Sequence, residues 1–102
     1  MYDVDTPHLL YCAGYWLAGA YFAIEDEAKL PPHRACARAV RLHALASAAV
    51  LELVRRERPC ALRLAAAVET CGQSIQKEWP TAVLRVADEV AIRAALGELA
   101  WN

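Results

Sequence analysis

The sequence has little glycine and almost no net charge, and both absences exclude classes of function. Its four glycines are scattered at positions 14, 19, 72 and 97, so it contains no glycine-rich loop of the kind that binds phosphate groups. The formal net charge is −1, so no global electrostatic field attracts the chain to nucleic acid or to anionic membranes. No Cys-x-x-Cys pair occurs among its four cysteines, which leaves a thioredoxin-like redox activity without support.

The sequence also lacks an apolar run long enough to cross a membrane. Residues 9–24 form sixteen consecutive positions without a charged residue, Ser, Thr, Asn or Gln, whereas a transmembrane helix needs about 20 strongly apolar residues. Asp3 and Asp5 precede this stretch, where a signal peptide carries basic residues. We therefore expect no membrane partner, and we expect a cytoplasmic protein with reduced cysteines.

Alanine dominates the composition and predicts an all-α fold. The chain of 102 residues contains 22 Ala, the residue with the highest helix propensity, and its length is typical of one domain. Thr6 and Pro7 predict the start of the first helix, with Thr6 as the N-cap and Pro7 at the first helical position. Breaks that contain proline separate the later helices. The predicted helices span residues 7–28, 32–57, 59–78 and 81–100.

Short connections make sequential helices antiparallel, so the sequence predicts a single helical domain, 1–102, built as a compact antiparallel four-helix bundle. Residues 9–24 make the first helix apolar on all sides, and four helices cannot fully enclose one of their own members. We therefore expect the surplus apolar surface to bind another protein or to form a homodimer, with aromatic residues as the anchors. The predicted protein-binding residues are Tyr11, Tyr15, Trp16 and Phe22. The alternative is that these aromatics fill the core of the monomer.

A basic segment predicts a second candidate surface. Residues 29–63 carry eight Lys or Arg against two Glu and lie between two acidic segments. The predicted basic face consists of Arg34, Arg38, Arg41, Arg55 and Arg56. Such side chains bind phosphates in nucleic-acid complexes, but pairing with acidic helix ends accounts for part of this charge, and no base-reading motif is evident. We therefore rank nucleic acid below another protein as the expected partner.

The cysteines and two of the histidines do not form a convincing metal site. His8 with Cys12, and His33 with Cys36, have spacings that suit zinc ligands. Each histidine opens its own helix, however, and in an antiparallel hairpin the two helix starts lie at opposite ends. Cys12 and Cys71 form the one disulfide pair that the predicted bundle makes conceivable. We predict no metal and no cofactor, and we interpret the cysteines as small apolar fillers.

His43 and Ser47 are the nearest approach to a catalytic pair. They lie four residues apart on the second helix, the spacing that allows a contact between a base and a nucleophile. Both point to the apolar side of that helix, where no oxyanion donor is evident, so we interpret His43 as a core histidine. A small enzyme or ligand carrier with a pocket beside His43 is the weakest alternative.

These patterns predict a small non-enzymatic protein-binding module. It would act as an adaptor, or as an inhibitor that blocks a larger target by occupying its surface. Small helical proteins encoded by phages and mobile elements, including anti-CRISPR proteins, are often of this kind. The inference rests on the size of the chain and its lack of catalytic motifs. The alternative function is a nucleic-acid-associated regulator that uses the basic face of the second helix.

Overall fold

The computed structural model of the protein describes residues 4–25 and 32–84. These residues form three α-helices, which are α1 (Thr6–Glu25), α2 (Pro32–Arg55) and α3 (Ala61–Glu78). The described part of the chain contains no β-strand. The predicted all-α class is therefore confirmed.

The prediction of four helices is not supported by the described residues, which form three. Residues 81–84 are not helical, because the chain turns after α3: the Ala82 N–H donates to the carbonyl of Trp79 at 2.9 Å. The remainder of the predicted fourth helix, residues 85–100, lies outside the described residues. The same holds for residues 26–28, which the sequence assigned to the end of the first helix.

Asp5, and not Thr6, caps the N-terminus of α1. The Asp5 carboxylate accepts a hydrogen bond from the His8 N–H at 2.9 Å, and its carbonyl accepts the first helical bond from the Leu9 N–H at 3.0 Å. Thr6 is already inside the helix. The predicted cap is therefore wrong by one residue, because Asp and Thr are both favoured at this position and adjacent in the sequence.

A Schellman motif ends α2 two residues earlier than predicted. Glu57 adopts a positive φ of 57°, the left-handed conformation that usually belongs to glycine at this position. Its N–H donates to the Val54 carbonyl at 2.9 Å, and the Arg58 N–H donates to the Leu53 carbonyl at 3.1 Å. These two bonds satisfy carbonyls at the end of α2, so the helix stops at Arg55.

α1 and α2 form an antiparallel hairpin that contains most of the core. The Arg56 guanidinium donates to the Thr6 hydroxyl at 3.3 Å, which joins the end of α2 to the start of α1. Further along, a Cβ on Gly19 would lie 2.9 Å from Leu42 Cδ1, so the glycine allows a close approach of the two helices. Small side chains fill much of the interface between them. The buried alanines of these two helices include Ala13, Ala20, Ala39, Ala46 and Ala49.

α3 packs against both α1 and α2 and completes the described core. Its Cys71 and Ile75 side chains are fully buried, together with Leu9 of α1 and Leu53 of α2. None of the helices described combines the length and the hydrophobicity needed to span a membrane.

Candidate functional site

α1 has two apolar faces, and the core covers one of them. The buried side consists of Leu9, Ala13, Trp16, Leu17, Ala20 and Ala23. Tyr11, Tyr15 and Phe22 lie on the other side, with exposed fractions of 70%, 66% and 65%. Gly14 and Ala18 lie between them and are also exposed. We call these five residues the aromatic face.

Two tyrosines of the aromatic face form one continuous aromatic surface. Tyr11 and Tyr15 are one helical turn apart, and their rings stack with centroids 6.4 Å apart and an interplanar angle of 18°. Beside them, the position that a Cβ on Gly14 would occupy has no other group within 4 Å. No charged residue occurs between positions 9 and 24, so a partner can cover this face without desolvating a charge.

Trp16 does not belong to the aromatic face. Its side chain is 7% exposed and lies in the core cluster with Leu17 and Ala20. Adjacent residues of a helix point about 100° apart, so Trp16 turns inward where Tyr15 turns outward. We therefore correct the predicted set of protein-binding residues to Tyr11, Tyr15 and Phe22.

The predicted basic face is divided into two parts. Arg34, Arg38 and Arg41 are exposed in the first half of α2. Leu45 and Ala48 continue the same side of the helix at steps of three and four residues, but they are buried in the core cluster. The arginines of α2 therefore form two separate groups, one in each half of the helix.

The two arginines at the end of α2 share a carboxylate. The Arg56 Nε donates to Glu52 Oε1 at 3.2 Å, and Arg55 Nη1 lies 3.9 Å from Glu52 Oε2. Arg56 is also the residue that bonds to Thr6. These contacts agree with the interpretation that internal pairing accounts for part of the basic charge, and they give Arg56 a role in joining α2 to α1.

His43 is buried between α2 and α3, with an exposed fraction of 6%. Its Nε2 donates to the Val68 carbonyl at 3.1 Å, since a carbonyl oxygen can only accept. The other ring nitrogen, Nδ1, is buried and has no hydrogen-bond partner among the described residues. Burial lowers the pKa of His43, and the hydrogen bond to Val68 opposes that shift. The imidazole is therefore neutral at neutral pH.

An open cavity of about 350 Å³ lies beside His43. Its lining includes Glu69, Gln73 and Gln76 of α3. Gly72 also lines the cavity and lets the imidazole pack closely against α3, because a Cβ there would lie 3.0 Å from His43 Nε2 and 3.1 Å from Leu84 Cδ1. This cavity is the described feature that best matches the ligand-pocket alternative.

The hydroxyl of Ser47 is not activated by His43. It donates to the backbone carbonyl of His43 at 2.8 Å, a local bond within α2 that is common for serine in helices. The Nε2 atom of the imidazole donates instead to the Val68 carbonyl. The geometry therefore provides no nucleophile–base pair at these two residues.

All four cysteines are free thiols. Burial raises the pKa of the Cys12 and Cys71 thiols, which favours the neutral form and opposes nucleophilic reactivity. Across residues 4–25 and 32–84, no three His, Cys, Asp or Glu side chains come close enough together to hold a metal ion.

Comparisons with protein-family models, with curated proteins and with solved structures found no match. The geometry of the described residues is therefore the basis on which a function can be argued.

Sequence reasoning missed one exposed residue and predicted the pocket beside His43 only as the weakest alternative. Leu62, at the start of α3, is 78% exposed, although its apolar side chain gives no sign of this. The cavity beside His43 is formed where side chains of α3 and Leu84 meet the imidazole of α2. A contact between two helices leaves no signal in the periodicity of either one, so the cavity has no signature in the sequence.

Proposed function

We propose that this protein is a non-enzymatic protein-binding module, which acts as an adaptor or an inhibitor by occupying the surface of a partner. The observation that carries the proposal is the exposure of Tyr11, Tyr15 and Phe22, about two thirds each, on one uncharged side of α1. Single exposed apolar residues are ordinary on protein surfaces, whereas a contiguous apolar patch is typical of an interaction site.

The area of these side chains supports an energetically useful contact. An aromatic side chain has roughly 150–250 Å² to bury, so a partner would cover about 100–150 Å² more of each ring. At about 25 cal/mol per Å², this corresponds to about 3 kcal/mol for each ring before the costs of association. Tyrosine is also suited to such a surface, because its hydroxyl can remain at the wet rim while the ring is covered.

Inhibition by covering a target's surface suits this chain better than inhibition that requires catalysis. A blocking protein requires a folded scaffold and one adhesive face, and α1 supplies the face while α2 and α3 hold it in place. Inhibitors encoded by phages or mobile elements, such as those of the anti-CRISPR kind, are the class of protein that we propose for it.

The proposal is tested by photo-crosslinking from the aromatic face. We expect a photoreactive phenylalanine analogue in place of Tyr15 to crosslink the full-length chain to a protein in cells that express it. The matched control carries the analogue at Thr70, which is exposed on α3, and it should give no specific product. Adding Phe22→Ser to the Tyr15 probe should reduce the crosslink about tenfold, the effect of losing about 1.4 kcal/mol. Equal yields from positions 15 and 70 would contradict the proposal.

The exposed arginines of α2 favour one second candidate, a nucleic-acid-associated regulator. Arg34 and Arg38 are exposed and one helical turn apart, and arginine is a common hydrogen-bond donor to phosphate oxygens. The double substitution Arg34→Glu and Arg38→Glu should abolish a salt-sensitive rise in the fluorescence anisotropy of labelled DNA or RNA. Arg58→Glu and Arg63→Glu, at two exposed arginines outside the predicted basic face, provide a control of equal charge change. Failure of the unchanged protein to bind at low salt would eliminate this candidate.

A further inference from the structure

Six exposed positions of α1 follow one another at alternating steps of three and four residues. They are His8, Tyr11, Tyr15, Ala18, Phe22 and Glu25. This alternation is the spacing with which two helices pack side by side along a coiled-coil seam. The seam lies on the opposite side of α1 from the core residues, so it is unused within the described part of the chain.

The seam is complementary to itself when two copies run in opposite directions. A two-fold axis between positions 16 and 17 places each residue level with its counterpart across the axis. Tyr15 is then level with the second copy's Ala18, so a large side chain meets a small one. Tyr11 is level with Phe22, which gives an aromatic pair at each end of the contact.

The polar ends of the seam also match in this arrangement. The same axis places His8 of one copy level with the second copy's Glu25, where the imidazole can donate to the carboxylate. A parallel arrangement would instead place Glu25 against Glu25, which is unfavourable, and Ala18 against Ala18, which leaves the helices poorly packed. The pattern therefore distinguishes between the two directions.

We propose that the partner at the aromatic face is a second copy of this chain, bound through α1 in an antiparallel, two-fold symmetric pair. This inference rests on the proposed function, because it uses the same surface. The pairing is isologous, so every contact occurs twice and no further unpaired surface is created. The aromatic face is covered in this pair, so dimerisation and binding of a different protein through α1 exclude each other.

The area available indicates a dimer that exchanges with monomer. Three aromatic side chains that are two thirds exposed contribute roughly 400 Å² per copy, or about 800 Å² in total, before flanking atoms are added. This is below the size of a standard stable interface and in the range of weak, reversible ones. The dimer should therefore form and dissociate with protein concentration.

The first test is the mass of the full chain in solution as a function of concentration. We expect sedimentation equilibrium to move from 11.2 kDa toward twice that value as concentration rises. Ala18→Glu places a charge level with Tyr15 in the middle of the seam and should keep the chain monomeric. Leu62→Glu is the matched control, since Leu62 is exposed on α3, and it should leave the dimer intact. Circular dichroism of both variants checks that they fold.

The second test determines the direction of the two helices. Tyr11→Cys and Phe22→Cys are made separately in a chain whose partly exposed Cys12, Cys36 and Cys60 are replaced by Ser. Residues 11 and 22 are about 16 Å apart along a helix at 1.5 Å per residue. In the antiparallel pair, a mixture of the two variants should form disulfide-linked dimers at least tenfold faster than either variant alone.

The outcomes separate this inference from the proposed function. A chain that remains monomeric at every concentration, or an Ala18→Glu variant that dimerises as well as the original, overturns the second copy as partner. Disulfides that form faster within each variant than in the mixture overturn the antiparallel direction. In either case, a crosslink from position 15 to a different protein would still support the proposed function, whereas the absence of any crosslink would remove both.

Discussion

At the scale of single residues, burial separates side chains that look equivalent in the sequence. Tyr15 and Trp16 are adjacent large aromatics in an uncharged stretch, yet Tyr15 is 66% exposed and Trp16 is 7% exposed. The difference arises from the 100° rotation between successive helical residues and from the side on which α2 and α3 pack. Because apolar residues surround α1 completely, the sequence could not show which side that would be.

Burial of the His43 imidazole is expected to make the stability of the fold depend on pH. Burial lowers its pKa from the ordinary value of 6.5, so the unfolded chain binds the proton more readily than the folded chain. The stability from the neutral ring is therefore fully present above about pH 6.5 and declines as the pH falls below it. We expect the urea midpoint of unfolding to drop between pH 7.5 and pH 5.5.

His43→Gln is the control for this prediction, because its amide nitrogen can donate to the Val68 carbonyl but does not titrate. The variant should lose less stability than the original chain over the same pH interval. The carboxylate that lines the same cavity, Glu69, is common to both proteins. Identical pH dependence in the two proteins would show that His43 is not the responsible group.

At the scale of helices, the sequence predicts where α1, α2 and α3 lie but misplaces some of their ends. The second and third helices were predicted at 32–57 and 59–78, and they are found at Pro32–Arg55 and Ala61–Glu78. Patterns of apolar residues determine the body of a helix, whereas its ends depend on backbone geometry that several residue types can adopt. Glu57 illustrates this, because it occupies a position where glycine would have been the expected signal.

Glu57→Gly is expected to stabilise the protein by about 1 kcal/mol. The residue has a φ of 57°, a conformation that costs an L-amino acid roughly 1–2 kcal/mol and glycine very little, and part of that gain is offset by the greater freedom of glycine in the unfolded chain. Urea unfolding should give a higher midpoint with an unchanged slope.

Glu57→Ala is the matched comparison for this substitution. It removes the same carboxylate but keeps the Cβ that makes the left-handed conformation unfavourable. We expect no stabilisation from the alanine variant. If alanine and glycine stabilise the chain equally, the effect belongs to the lost charge and not to the backbone.

At the scale of the whole molecule, the packing of the three described helices against one another determines which of their surfaces remain exposed. The arginines of the first half of α2 are exposed, whereas Leu45 and Ala48 on the same side of the helix belong to the core. The arginines of α2 therefore lie in two groups separated by buried residues, while the aromatic face of α1 has three exposed rings. This contrast is why we place binding to a protein before binding to a nucleic acid.

The sequence by itself determined the all-α class, the positions of α1, α2 and α3, and the presence of more apolar surface than a small bundle can bury. These properties follow from local helix propensity and from the spacing of apolar residues, and both can be obtained from the sequence without knowledge of tertiary contacts. The tertiary structure decided that Trp16 lies inside and Tyr11, Tyr15 and Phe22 lie outside, and that side chains of α3 and Leu84 line a cavity beside His43. These choices depend on which side of each helix another helix covers, and residues far apart in the sequence determine that jointly.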